Sequence, residues 1–336
     1  MAKRILITGG AGFIGSELSR QWTAQDAEVT IVDNLVNGKR DNVSDILSPH
    51  CRLEECDIRD TTAMEALLKG VDIVYHLACL GVRHSIHSPY ENHEVNAEAT
   101  LKLLLAAQKS RVGRFVYVST SEVYGTASFV PMPEEHPTLP HTVYGASKLA
   151  GECYTRAFHD TYSLDTVIVR PFNAYGPRCH HEGDSGEVIP KFLLRALAGK
   201  PLIIFGDGTQ TRDFTFVSDT ARGILTAGLH PSAIGRTFNL GSGFEMTIKD
   251  LAETIARSVG LDKATVQHDA PRPGDVLRLY SDSRRSAEVL GFKPEISLEQ
   301  GIQHLKDWYS SQPTSPDALL EQEVVHNWKG TLDQKP

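Results

Sequence analysis

The sequence has no apolar run approaching the roughly 20 residues that a membrane-spanning helix needs, so no membrane partner is expected. Cysteine is sparse and unpatterned. Cys51, Cys56, Cys79, Cys153 and Cys179 are odd in number and never fall as C-x-x-C, which argues against a disulfide framework and a structural zinc site. Basic charge is not in excess either. Lys and Arg number 34 against 42 Asp and Glu, and a net charge of −8 disfavours a nucleic-acid partner. Internal repeats and low-complexity tracts are missing as well. The apolar part of "MAKRILITGG" is too short for a signal peptide and is needed as a strand, so a reducing, cytoplasmic setting is the expectation.

What is present is an ordinary globular composition, 40% hydrophobic and 23% charged, in 336 residues, enough for a large core and two lobes. Apolar, β-branched runs recur at "RILIT", "EVTIVDN", "CRLEECDI", "VDIVYHLAC", "RFVYVSTSE", "DTVIVRPFN" and "RTFNLGSG", with segments of helical periodicity between them. This alternation predicts right-handed βαβ crossovers and a Rossmann-type, doubly wound parallel sheet, an α/β fold. After Pro177 the alternation breaks. The expected division is a dinucleotide-binding domain over 1–175, completed by 213–243, and a smaller mixed α/β substrate-binding lobe from 176–212 and 244–336.

Between the first apolar run and a helical pattern lies "ITGGAGFIGS", with Gly9, Gly12 and Gly15 at three-residue spacing. Ile14, Leu18 and Trp22 come next at helical spacing, so the glycines mark a strand-to-helix turn. Such a turn lets the backbone approach a pyrophosphate, while the first helical turn offers unpaired N–H groups and positive dipole. The bland alternative is a turn that only packs a helix on a sheet. Asp33, at the end of the next strand, can accept hydrogen bonds from the adenosine ribose hydroxyls and would repel a 2′-phosphate, favouring NAD over NADP.

The run "RFVYVSTSEVYG" ends in Thr120, Ser121 and Glu122, at the strand end where this architecture binds ligands. Further on, "YGASK" sets Tyr144 and Lys148 four residues apart, on one helix face. A tyrosine of ordinary pKa, about 10, must fall by roughly 3 units, about 4 kcal/mol, to act as a base near neutrality. A neighbouring ammonium and a positively charged nicotinamide both push that way. By itself Y-x-x-x-K arises often by chance in exposed helices. Glu122 also has a bland reading, as a solvated acid at a strand end. The "RCHH" stretch, with Cys179, His180 and His181 near Glu182 and Asp184, lacks paired or helical metal-ligand spacing, and a loop lining the pocket is expected rather than a metal site.

Taken together, the glycine turn, Asp33, "HLAC", "STSEVYG", "YGASK", "RPFNAYGPR", "GDGTQTRDF", "SDT" and "APRPGD" resemble the extended short-chain dehydrogenase/reductases that modify nucleotide-activated sugars, over the chain to about residue 310. The resemblance implies that Gly9, Gly12, Phe13, Ile14 and Gly15 hold the NAD pyrophosphate. It places Asp33 and Asn34 at the adenosine ribose, Asp57 and Ile58 at adenine, and Leu77, Ala78, Tyr144 and Lys148 at the nicotinamide half. Thr120, Ser121, Glu122, Tyr144 and Lys148 become the catalytic set. Asn173, Val188, Lys191 and Arg212 match positions that grip the nucleotide diphosphate, with Arg272 and Asp275 closing over the nucleotide. Cys79 departs from the small alanine or glycine usual after "HLA" and reads as a tolerated packing change. The helices "VNAEATLKLLLAAQK" and "YGASKLAGECYTRAFHDTY" correspond to those that form a four-helix homodimer interface in this family.

The implied chemistry oxidises the sugar at C4, with Tyr144 taking the hydroxyl proton, and recycles NAD. The branches diverge once the ketone has formed. Epimerases return hydride to the other face and usually carry a small residue at the position of Glu122. Dehydratases remove H5 and expel the C6 hydroxyl, which needs a carboxylate there. UDP-glucuronate decarboxylases also read "TSEVYG" and lose C6 as carbon dioxide. Glu122 favours an NDP-hexose 4,6-dehydratase, although Ser121 stands where familiar dTDP-glucose dehydratases have aspartate. A 4-epimerase, a decarboxylase, a net keto-sugar reductase and a non-catalytic NAD-binding regulator are the competing readings.

Overall fold

All seven apolar runs become strands of one sheet in the computed structural model, which describes residues 2–183, 185–271 and 276–326. Arg272 and Asp275 lie outside the described residues. The strands are β1 (Lys3–Thr8), β2 (Ala27–Asp33), β3 (Cys51–Glu55), β4 (Ile73–His76), β5 (Arg114–Val118), β6 (Thr166–Pro171) and an edge strand, Thr237–Leu240. Their order across the sheet runs from Thr237–Leu240 through β6, β5, β4, β1 and β2 to β3, and every pairing is parallel. The chain reverses direction of winding between β1 and β4, where a doubly wound sheet opens a crevice at its carboxyl edge. Thr8 stands opposite both Val32 and His76 there, so the three strand ends finish level with one another.

Alternation within each strand divides the core into two layers. Ile5, Ile7, Val29, Ile31, Tyr75, Val116 and Val169 pack with Leu18 and Trp22 of helix Phe13–Thr23 and with Ile224 of helix Val217–Leu229. Leu6, Val32, Val74, Phe115, Tyr117 and Ile168 pack on the other face, against Leu103 and Leu104 of helix Ala99–Lys109 and Phe158 of helix Val143–Tyr162. Burial on both faces explains why these strands read as near-continuous apolar runs.

A third cluster forms the smaller lobe. It joins Ile189, Phe192 and Leu193 of helix Val188–Leu197, Leu202 and Ile204 of strand Leu202–Phe205, Leu251 and Ile255 of helix Ile248–Ser258, and Ile302 and Leu305 of helix Leu298–Ser311. The junction is a short parallel pair, Asn173–Tyr175 with Phe214–Phe216. Beyond it the chain does not stay in the lobe. Leu290 and Phe292 return to the large core beside Ile224.

One polar contact inside this frame governs where the Tyr144 helix sits. Glu152 is 0% exposed and Arg170, on β6, is 3% exposed. The guanidinium donates to both carboxylate oxygens at 2.8 and 2.6 Å, and its remaining N–H groups reach the Tyr124 hydroxyl (2.8 Å) and the Glu134 carbonyl (3.0 Å). Removing Arg170 leaves the fully buried Glu152 carboxylate with the half-exposed Arg156, 3.2 Å away, as its remaining ion-pair partner among the described residues. Arg170→Ala is therefore expected to lower the unfolding free energy by about 3–5 kcal/mol in urea titrations followed by circular dichroism. A loss below about 1 kcal/mol would show that the pair does not hold the helix in place.

Candidate active site

At the turn after β1, Gly9 has φ of +69°, and a Cβ there would stand 2.7 Å from the Ala78 nitrogen. A Cβ on Gly15 would lie 2.1 Å from the Gly9 carbonyl oxygen. Only hydrogens fit at either place. Gly12 opens helix Phe13–Thr23 with no side-chain cap, which leaves the first N–H groups of the helix facing the crevice. Asp33 is buried at the end of β2, and its carboxylate accepts N–H bonds from Ala11 (3.0 Å) and Leu35 (2.9 Å). Burial nevertheless raises its pKa. Asn34 donates to Asp57 at 2.9 Å, and Arg59 clasps the same carboxylate, holding it down to about 2. Ile58 is buried beside them.

The loop after β4 is held from beneath by two asparagines of one helical stretch. Within the continuous helical stretch 89–109, residues Glu94–Glu98 form a π-turn. Asn92 and Asn96, four residues apart and so on one helix face, both bond Leu80: Asn96 accepts from the Leu80 nitrogen (2.8 Å) and donates to the Leu80 carbonyl (2.9 Å), and Asn92 donates to that carbonyl at 3.0 Å. Ser147, on the Tyr144 helix, completes the set by donating to Asn92 at 3.1 Å. Such turns recur at functional sites. Behind the loop, His76 is fully buried between the Thr8 and Thr100 hydroxyls, 2.7 and 2.9 Å away, and burial drops its pKa to about 3, so it stays neutral.

This scaffold brings Thr120, Tyr144 and Lys148 together. Thr120 is extended, accepts from the Glu122 nitrogen at 3.2 Å and stands close enough to the Tyr144 phenol to lower its pKa. Lys148 lies one turn below Tyr144, is 1% exposed, and places its ammonium 4.3 Å from the centre of the Tyr117 ring. In the protein alone the phenol does not show the depressed pKa expected from a neighbouring ammonium. Burial raises it well above its ordinary value, the Cys79 thiol adds to the rise, Thr120 opposes it, and the charge of Glu122 raises it further. Lys148 is itself lowered by desolvation. Cys79 lines the cavity with Tyr144.

All of this opens into one cavity of about 690 Å³. Gly9, Gly12, Phe13, Ile14, Gly15, Asp33, Asn34, Asp57, Ile58, Leu77 and Ala78 line one end, and Thr120, Ser121, Glu122 and Tyr144 the centre. Asn173, Val188, Lys191 and Arg212 line the end in the smaller lobe, while Lys148 sits behind Tyr144 rather than in the wall. The buried Asn173 Oδ1 has no hydrogen-bond partner among the described residues, and a donor on a bound ligand would satisfy it. Arg212 bonds the Thr211 and Val276 carbonyls at 2.8 and 2.7 Å, and Lys191 donates to the Val324 carbonyl at 2.9 Å. His180 lines the cavity, whereas His181 is buried edge-on against Tyr309. Among the described residues no group of three or more His, Cys, Asp or Glu is placed to hold a metal ion.

Several wall residues carry no sequence signal. Arg83, His84, Glu187, Arg195, Glu323 and Val325 reach the cavity from separate segments. The glycine turn, the buried Asp33 and the Tyr–Lys–Thr cluster suit an NAD molecule, and they define a dinucleotide-dependent enzyme of the Tyr–Lys type. The sequence model of the NAD dependent epimerase/dehydratase family matches residues 5–241, and the chain belongs to that family, whose members act on nucleotide sugars as epimerases, dehydratases and decarboxylases. It is 36% identical over 314 residues to the UDP-glucose 4-epimerase of Mycolicibacterium smegmatis, covering 92% of this chain and 99% of that one. It is 35% identical over 315 residues to the dTDP-glucose 4,6-dehydratase of Streptomyces niveus, covering 91% and 92%. The structure of DesIV, a dTDP-glucose 4,6-dehydratase from Streptomyces venezuelae with NAD bound, superposes with a TM-score of 0.86 at 35% identity, over 92% of this chain and 97% of that one. The cofactor is NAD.

Glu187 offers a test of the cavity's electrostatics. Burial raises its carboxyl to about 7, with Glu182 adding to the rise and His180 opposing it. The native chain therefore keeps this proton between about pH 4.5 and 7 while the unfolded chain has released it, so the group's contribution to stability is complete at low pH and is lost as pH rises through that window. Glu187→Gln cannot ionise. Its Tm is expected to match the unsubstituted protein near about pH 4.5 and to exceed it by a few degrees at about pH 8 in thermal melts. A gap that stays constant across the range would contradict this assignment.

Proposed function

We propose that the protein is an NDP-hexose 4,6-dehydratase that recycles its NAD, works in the cytoplasm and assembles as a homodimer. The observation that carries the choice of reaction is Glu122, whose carboxylate lines the cavity close enough to Tyr144 to raise the phenol's pKa. A substrate with its C4 hydroxyl at Tyr144 presents C5 and C6 to that acid. In this reading residues 1–175 with 213–243 hold the cofactor, and the lobe of 176–212 and the chain after 244 hold the nucleotide sugar. Asn173, Val188, Lys191 and Arg212 face the diphosphate, and an arginine fork suits its oxygens.

Gly9, Gly12, Gly15 and Asp33 would hold NAD, which when bound would supply the acceptor for the C4 hydride and the hydride for C6. Tyr144 accepts the C4 hydroxyl proton, with Thr120 donating to its oxygen and Lys148 stabilising the phenolate through the helix turn between them. A positive nicotinamide held beside Tyr144 would lower the phenol pKa that burial raises. Glu122 then takes the proton from C5, which the C4 ketone has acidified. Ser121 brings no second carboxyl to the site, so the same Glu122 delivers that proton to the C6 oxygen as water leaves. Glu122, reprotonated from solvent, then gives C5 a proton as hydride reaches C6, and Tyr144 releases the C4 hydroxyl proton to solvent; the product is a 4-keto-6-deoxy sugar nucleotide, lighter than the substrate by one water.

Leu105 and Tyr162, each 52% exposed on the outer faces of helices Ala99–Lys109 and Val143–Tyr162, support the four-helix dimer. Leu105→Arg is expected to move the sedimentation coefficient toward that of the monomer, and an unchanged value would place the contact elsewhere.

Tyr144→Phe is expected to keep its NAD and lose at least about 100-fold in turnover. Glu122→Gln separates the branches, because glutamine has nearly the same volume but cannot take the C5 proton. It should reduce bound NAD with substrate, seen at the NADH absorbance, without releasing a dehydrated product. The unsubstituted enzyme should place solvent deuterium at C5. A product of unchanged mass, no deuterium and an active Glu122→Gln would assign a 4-epimerase instead, and a product lighter by carbon dioxide a decarboxylase.

A further inference from the structure

The far end of the chain builds part of the cavity wall. After helix Leu298–Ser311, a short helix, Pro316–Leu320, packs on helix Val188–Leu197, with Leu320 buried in the smaller lobe's core. The next residues run across the mouth of the cavity. The Gly183 nitrogen donates to the Gln322 carbonyl at 2.8 Å, the Lys191 ammonium to the Val324 carbonyl at 2.9 Å, and His326 meets Asp269 at 2.8 Å and the Phe205 ring at 6.2 Å between centroids. Glu323 takes Arg195 through both carboxylate oxygens, at 3.2 and 2.8 Å, with the two side chains 8% and 13% exposed. These anchors tie the segment to the helix Val188–Leu197 on one side and to the paired strands Leu202–Phe205 and Val266–Asp269 on the other. Held on both sides in this way, the segment is a fixed wall and not a loose end.

Glu323 and Val325 line the cavity together with the apolar side chains Ile203, Phe205 and Phe214 and with the polar Gln210 and Arg195. Such a lining suits a planar heterocycle that carries hydrogen-bonding groups on its rim. We propose that residues Gln322–His326 form a strap that completes the binding slot for the base of the nucleotide sugar, with the Glu323–Arg195 pair fixing its position and Val325 contacting the base. The proposal rests on the nucleotide-sugar reading of the site and assigns its base end to a segment near the C-terminus.

The test uses the full-length, NAD-loaded protein with UDP and dTDP as probes. Calorimetric titration of the unsubstituted protein with these two and with GDP and ADP should give binding to at least one of the four, and binding of none would overturn the nucleotide-sugar reading itself. With that binding in hand, Val325→Trp, which fills the slot, is expected to weaken it at least about 10-fold while NAD content and Tm stay unchanged. Hydrogen–deuterium exchange should also slow across 322–326 when the nucleoside diphosphate is added. Affinity within about twofold of the unsubstituted protein in Val325→Trp, or exchange in 322–326 indifferent to the nucleotide, would overturn the strap while leaving the proposed reaction intact.

Discussion

Close approach of backbone to backbone at Gly9 is the constraint on which the site depends. The turn after β1 touches the peptide of Ala78 with no room for a methyl group between them, and this contact sets the depth at which the loop after β4 lies beside the start of helix Phe13–Thr23. The loop's height in turn fixes where Cys79 lines the cavity with Tyr144. Asn92 and Asn96 support the same loop from the opposite side. A dinucleotide-binding crevice and an oxidation centre are therefore one mechanical unit, pinned at Gly9 above and at Leu80 below.

Electrostatics in this unit are arranged around exclusion of water. His76 is kept neutral between two hydroxyls, Lys148 sits over an aromatic face, and the Tyr144 phenol is disfavoured as an anion until a positive charge arrives beside it. The Glu152–Arg170 pair one turn further along the helix keeps two deeply buried charges paired with one another.

Much of the fold was legible in the sequence because its signals are local. Seven β-branched runs alternating with helical spacing give a parallel sheet, and three glycines before and after Phe13 together with Asp33 after Val32 give the cofactor end. Tyr144 and Lys148 are readable from their spacing, Thr120 and Glu122 from their place after β5. Other features depend on chain segments that meet only in three dimensions. Nothing near Cys79 announces the phenol whose pKa it raises, and nothing in "EQEVVH" announces Lys191 or Arg195, more than about 120 residues earlier. The return of Leu290 and Phe292 to the large core is hidden for the same reason, since a short apolar pair carries no address. The π-turn is silent because it changes the helix by a fraction of a turn without changing the apolar pattern.

The sheet's edge strand has a consequence for how the chain matures. Thr237–Leu240 pairs with β6 only after the intervening stretch, with the whole first part of the smaller lobe, has been made. Until then β6 presents an unpaired row of peptide groups, and the Val169 side of the core lacks Phe238 and Leu240 to cover it. During synthesis the nascent first half is thus an open-edged sheet exposed to mispairing for as long as those residues remain inside or near the ribosome. The two lobes cannot be matured in succession: the later-made one carries in its wake the strand that seals the earlier.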